Sequence, residues 1–157
     1  MPVTRLNHAV LYVRDAERSA AFYHDALGFE VVTQFPGAVF LRAAETDNHH
    51  DLGLFSIGAD APSPQPGRVG LYHLAWQVTT IEDLAATAAK LRELGSLVGA
   101  SDHGVSKSLY AKDPDGNEFE VMFEVPREAW TPELISGAPT GPLDLPAELA
   151  RWGAASE

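Results

Sequence analysis

Apolar residues recur along this chain with two different periods, and the switches between them mark its elements. Residues 6–13, LNHAVLYV, are rich in apolar and β-branched types and predict a strand on which His8, Val10 and Tyr12 share one face. Ser19, Phe22, Tyr23, Ala26 and Leu27 then recur at helical spacing, with Asp15 as N-cap and Gly28 as C-cap. Residues 29–35, 38–43 and 51–57 predict three more strands, the first two joined by a Pro36-Gly37 turn. The proline-rich stretch ADAPSPQPGR, residues 59–68, predicts a linker.

After that linker the pattern restarts. Residues 71–78, LYHLAWQV, predict a strand, and Thr79 with Glu82 has the spacing of a capping box. Ile81, Leu84, Ala88, Leu91 and Leu94 form a helical stripe that ends at Gly95, and strands are expected around 97–100, 106–112 and 118–125. His8 stands 20 residues before Gly28, and His73 stands 22 before Gly95. This matched placement predicts an internal duplication, β-α-β-β-β twice, over residues 4–60 and 69–125 of a single domain at 1–126. The expected fold class is α+β, with tandem βαβββ modules forming a curved mixed sheet around a concave site. Residues 127–157 break the pattern and predict an irregular extension with a short helix near 146–152, anchored by Trp130 and Trp152.

Composition narrows the function classes. The 157 residues suit one domain with a core of its own. A net charge of −11, with no cluster of Lys or Arg, argues against nucleic acid and anionic membrane surfaces as partners. The absence of cysteine excludes thiolate catalysis. No apolar run is long enough for a membrane span, and a cytoplasmic location is expected.

The candidate chemistry lies on the strands. His73 shares its face with Ala75 and Gln77, a small and semi-polar setting that suits a cavity wall. In DPDGNEFEVMFE, residues 113–124, a tight turn feeds a strand on which Glu118, Glu120 and Met122 share one face. An inward carboxylate on an apolar strand needs a partner. Two imidazoles and one carboxylate make a facial triad with open coordination positions, which suits non-haem Fe(II). On spacing alone Glu118, Glu120 and Glu124 are all candidates for the carboxylate.

Over residues 4–125 the chain resembles the vicinal oxygen chelate superfamily, which includes glyoxalase I, bleomycin resistance proteins and extradiol ring-cleaving dioxygenases. The resemblance is carried by NHAVLYVRDAERSAAFYHDALGF, YHLAWQV and YAKDPDGNEFEVMFE, and is strongest to single-module type I extradiol (catechol 2,3-) dioxygenase-like proteins. It implies His8, His73 and Glu120 as metal ligands, the family motif placing the carboxylate three residues after Asn117. It also implies His50 as the acid–base residue, with His49 turned away, His103 as a pocket histidine and Tyr110 as a hydroxyl that hydrogen-bonds substrate. The fourth protein ligand of glyoxalase I has no counterpart, because Gly53 or Leu54 falls at its place.

The activity implied is Fe(II)-dependent extradiol cleavage of a small aromatic, catechol-like diol with O2, in a homodimer, with Mn(II) as the alternative ion. The rival readings are another metalloenzyme of the superfamily, either a Mn-dependent thiol transferase or a glyoxalase-like enzyme, and a metal-free protein that binds small aromatic drugs. Few basic residues in the second half beyond Lys107 and Lys112 weigh against a phosphonate-binding transferase.

Overall fold

A computed structural model of the protein describes residues 1–136 and 140–154. The chain divides into two compact units, the first comprising Met1–Gly67 with Asp113–Asn117 and the second Arg68–Lys112 with the residues from Glu118 onward.

In the first unit β1 (Ala9–Val13) leads into α1 (Ala16–Leu27), followed by β2 (Glu30–Phe35), β3 (Ala38–Arg42) and β4 (Leu52–Ser56). The sheet order is β1-β4-β3-β2, with β1 parallel to β4 and the other pairs antiparallel. Both ends of α1 are set by local chemistry. Asp15 accepts from the Arg18 amide at the start, and Gly28 closes the end at φ +72°, a left-handed conformation that glycine adopts without strain. Leu11, Val13, Ala20, Tyr23, Val39, Leu41, Leu52 and Leu54 are buried and form the core between helix and sheet. The opposite face of the sheet carries Val10, Tyr12 and Phe35, all exposed.

The Asp113–Asn117 turn is held by its own first residue. Asp113 accepts from the backbone amides of Asp115 and Asn117 at 2.9 Å each and from the Asn117 side chain at 2.8 Å. Asp115 in turn binds Arg14 twice, accepting from its amide at 2.7 Å and its guanidinium at 2.9 Å. The buried Tyr23 hydroxyl donates to Asp113, and burial followed by the Asp113 charge pushes its pKa well up.

The second unit repeats the topology. Its elements are β5 (Leu74–Val78), α2 (Ile81–Glu93), β6 (Leu97–Asp102), β7 (Ser106–Lys112) and β8 (Glu118–Glu124). They are ordered β5-β8-β7-β6, with β5 parallel to β8. Even an irregularity recurs, since the ladder shifts between Val31 and Thr33 in β2 and between Leu97 and Gly99 in β6. The sequence expectation of a Thr79–Glu82 capping box is off by one residue: Thr80 caps α2, accepting from the Asp83 amide and donating to its carboxylate. Ile81, Leu84, Ala88 and Leu91 are fully buried, as are Leu109, Phe119 and Val121 from the sheet.

The C-terminal segment adds α3 (Pro132–Ser136), β9 (Gly141–Pro142) and α4 (Leu145–Trp152) to this second unit. The β9 strand extends the sheet beside β6, and α4 packs on α2. Trp130 donates its indole N–H to the Val125 carbonyl at 3.0 Å. The main polar fastening is Lys107, whose side chain is only 4% exposed and whose Nζ lies 2.6 Å from Asp102 and 3.4 Å from Glu148 on α4. Burial pushes the Asp102 carboxyl up, but the bonds from Lys107 and the Gly104 amide outweigh it and leave the pKa below the usual carboxylate value. Removing one member of a buried pair strands the other charge. Lys107→Met is therefore expected to lower unfolding free energy by about 3 kcal/mol, read as a lower denaturant midpoint. An unchanged midpoint would show that the ion pair contributes nothing net.

Candidate metal centre and its surroundings

Register decides which side chains meet on each open sheet face. In the second unit Ala75 pairs with Glu120, which pairs in turn with Tyr110 on the next strand. His73 immediately precedes β5 on the same face, and its Nε2 lies 3.0 Å from Glu120 Oε2. Both side chains are largely sheltered, at 23% and 13% exposure. Nδ1 of His73 is buried with no hydrogen-bond partner among the described residues, so the ring's polar contact is with Glu120 alone. The ring also lies 5.8 Å from that of Tyr110, centroid to centroid.

Tyr110 donates to or accepts from His103, with 2.8 Å between its hydroxyl and Nε2. Burial, then the Glu120 charge, raises the Tyr110 pKa, so the phenol keeps its proton across the neutral range. The polar open face of this unit thus gathers His73, Glu120, Tyr110 and His103. Glu118 and Glu124 sit at the two ends of β8, opposite Lys112 and Ser106.

The first unit has the same register with different chemistry. Ala9 pairs with Leu52 as Leu74 pairs with Phe119, so Val10 and Gly53 stand where the second unit has Ala75 and Glu120. Gly53 is therefore the counterpart of Glu120, and no donor is available there. A Cβ at Gly53 would meet Phe40 Cε1 and Val10 Cγ2 at 3.4 Å each, so an aromatic ring occupies the space beside that backbone.

Phe40 is the hub of an aromatic group, with ring centroids 5.7 Å from Phe55, 6.4 Å from Phe35 and 5.1 Å from His50. His8 completes the row, 4.5 Å from His50. Like His73, His8 falls just before its strand rather than within it.

His8 and His50 are held by groups that periodicity does not reveal. Asn7 Oδ1 lies 2.9 Å from His8 Nδ1. An Nδ1–H donated to that acceptor leaves Nε2 bare and able to ligate. Asn48 ties the two segments together, donating to the Asn7 carbonyl at 2.9 Å and accepting from the Asn7 side chain at 3.1 Å. Buried Asp51 shapes the loop before β4 by accepting from Ala43, Thr46 and Asn48. His49 contacts His50 through a 3.1 Å separation between Nδ1 atoms. The only local hint of this network is that Asn7 is adjacent to a candidate ligand.

The His73–Glu120 pair fits the donor spacing around a divalent ion. Donors about 2.1 Å from a shared ion and at right angles stand about 3.0 Å apart, which matches the His73–Glu120 separation. A sheltered carboxylate facing an imidazole also favours a cation. The structure brings the candidates together as pairs, His8 with His50 and His73 with Glu120. Among the described residues no three His, Asp or Glu side chains cluster closely enough to share an ion. No helix among them is long and apolar enough to cross a membrane.

Comparison with known proteins places the chain in a family. Residues 5–121 match the model of the Glyoxalase/Bleomycin resistance protein/Dioxygenase superfamily, and the chain belongs to it. It is 34% identical over 128 residues to catechol-2,3-dioxygenase of Bacillus subtilis, covering 81% of this chain but 44% of that protein. It is 38% identical over 135 residues to biphenyl-2,3-diol 1,2-dioxygenase 3 of Rhodococcus globerulus, covering 82% of this chain and 70% of that one. Among solved structures, lactoylglutathione lyase from Agrobacterium tumefaciens has a TM-score of 0.59 at 26% identity, covering 78% of this chain and 96% of that one. The α+β fold of the superfamily, with its two mixed sheets, is therefore the fold of this protein. The chain spans less than half the length of the Bacillus relative.

Burial, then the neighbouring rings of His8 and His49, lowers the His50 pKa below the ordinary imidazole value of about 6.5. The neutral form is thus favoured by folding. The associated stability is fully present above about pH 6.5 and is lost as pH falls through the lowered value. An NMR titration of the metal-free protein should give a His50 midpoint below that of an unstructured histidine, and His49→Gln should raise it. A midpoint at or above the ordinary value would contradict this environment.

Proposed function

We propose that this chain is an extradiol ring-cleaving dioxygenase that acts on a catechol-like aromatic diol with O2. His8, His73 and Glu120 hold Fe(II), with Mn(II) as the alternative ion. The observation that carries the reading is the 3.0 Å approach of His73 to Glu120 beside Tyr110 and His103. The identities to two dioxygenases of aromatic diols support it. Residues 1–126 act as one domain built from repeats at 4–60 and 69–125, with 127–157 as an extension. The protein works as a cytoplasmic homodimer.

An ion held there would supply Lewis acidity towards the substrate and the redox capacity for its reaction with O2. Everything else falls to the chain. Glu120 would offset part of the ion's charge, and His8 and His73 would complete the ligand set. Phe35, Phe40 and Phe55, packed edge to face, offer an apolar surface to an aromatic ring. His50, kept neutral near pH 7, accepts a proton from the diol and returns one during ring opening. Tyr110, kept protonated, donates a hydrogen bond to a substrate oxygen. Gly53 adds no fourth protein donor, so the chain itself would supply three.

The test is oxygen uptake by Fe(II)-loaded protein with a panel of catechols and dihydroxybiphenyls, with product identified as a ring-opened semialdehyde. His50→Phe is expected to keep its metal and slow turnover by about 10²–10⁴-fold. Metal-loaded protein that consumes no O2 with any diol would move the assignment to another reaction of the superfamily. Unchanged turnover in His50→Phe would remove the proton-transfer role.

A further inference from the structure

The C-terminal segment reaches His103 through the Thr140 side chain. Thr140 Oγ1 lies 3.3 Å from His103 Nδ1, while His103 Nε2 lies 2.8 Å from the Tyr110 hydroxyl. Thr140, His103 and Tyr110 thus form a continuous row, and Tyr110 is the cross-strand partner of Glu120. The backbone around this row is fixed from two sides. β9 follows Thr140 directly and pairs with β6, setting Asp102 opposite Gly141. The turn bearing His103 is held by Asp102, which accepts from the Gly104 amide at 2.7 Å and from Lys107 at 2.6 Å. Lys107 also reaches Glu148 on α4 at 3.4 Å, so the segment that follows Thr140 is tied to the strands flanking the His103 turn.

A neutral imidazole has one N–H, and the partner at one nitrogen decides what the other can do. A threonine hydroxyl has one proton to donate and can also accept, and Thr140 Oγ1 lies 3.3 Å from His103 Nδ1. With that proton placed on the Thr140–Nδ1 bond, the ring carries its own hydrogen at Nε2 and donates to the Tyr110 oxygen. The phenol proton is then free to point at a ligand. In the opposite tautomer Tyr110 gives its proton to Nε2 and faces a ligand only as an acceptor.

We propose that Thr140 is a positioning residue for the candidate centre: its hydroxyl fixes His103 in the Nε2–H tautomer and thereby makes Tyr110 a hydrogen-bond donor to the bound diol. The catalytic half of this statement rests on the dioxygenase reading above, and the tautomer half does not. The C-terminal segment is accordingly part of the working site.

The experiment uses 15N-imidazole NMR on the full-length, metal-free protein, with His103→Gln to assign the His103 signals. Diol turnover is measured in parallel on the Fe(II)-loaded protein. Wild type should show His103 as the Nε2–H form. Thr140→Val should mix or invert the tautomers, and Thr140→Ser should restore the wild-type spectrum. In turnover, Thr140→Val should lose about tenfold in kcat/KM, the effect of one hydrogen bond, with Ser recovering most of it. A wild-type Nδ1–H form, or a His103 spectrum unmoved in Thr140→Val, overturns the proposal whatever the activity. Full activity of Thr140→Val in a protein whose wild type cleaves diols also overturns it. The expected tautomer changes in a protein that cleaves no diol would uphold the positioning role and reject the dioxygenase reading instead.

Discussion

The parallel pairing of first and last strand within each repeat is the constraint on which the site depends. Antiparallel neighbours can be joined by a hairpin, but a parallel pair requires the chain to travel out and back before it closes. In both repeats that excursion is a helix and two strands, and the closing strand returns beside the opening one. A histidine just before the opening strand thereby meets whatever the closing strand carries two residues further along. In the second repeat that residue is Glu120, and the result is an imidazole–carboxylate pair. In the first it is Gly53, and the space is taken by Phe40.

This one difference divides the chemistry between the repeats. The second open face is polar, with a carboxylate, two imidazoles and a phenol whose ionisation is suppressed by burial and by that carboxylate. The first is aromatic, with His8 and His50 at the end of a row of phenylalanines. The polar face gathers charge and hydrogen-bonding groups, and the aromatic face gathers apolar rings and a histidine whose pKa is lowered. The C-terminal segment belongs to the polar side, fastened through a buried lysine rather than by apolar packing alone.

Much of this was legible because it is local. Strand alternation put His8 with Val10 and Tyr12, and Glu118 with Glu120 and Met122, on the faces where they occur. The Asp15 and Gly28 caps are readable because each acts within one helical turn. The capping residue of α2 was misplaced by one because Thr79 and Thr80 are adjacent and an acidic residue follows each at the right spacing. The histidines precede their strands because ladder pairing starts at Ala9 and Leu74, which only the register reveals. What could not be read is non-local: Asn48 reaching Asn7 across 41 residues, and Thr140 reaching His103 across 37. No periodicity encodes such contacts, since they depend on where separate loops come to rest.

The proposed function requires His8, from the aromatic repeat, to bind the same ion as His73 and Glu120. The most direct measurement is an oxygen-free Fe(II) titration, followed calorimetrically, of wild type beside His8→Ala, His73→Ala and Glu120→Ala. The account predicts about one ion per chain in the wild type, and a loss of affinity of about tenfold or more in each variant, His8→Ala included. Wild-type affinity in His8→Ala would contradict it.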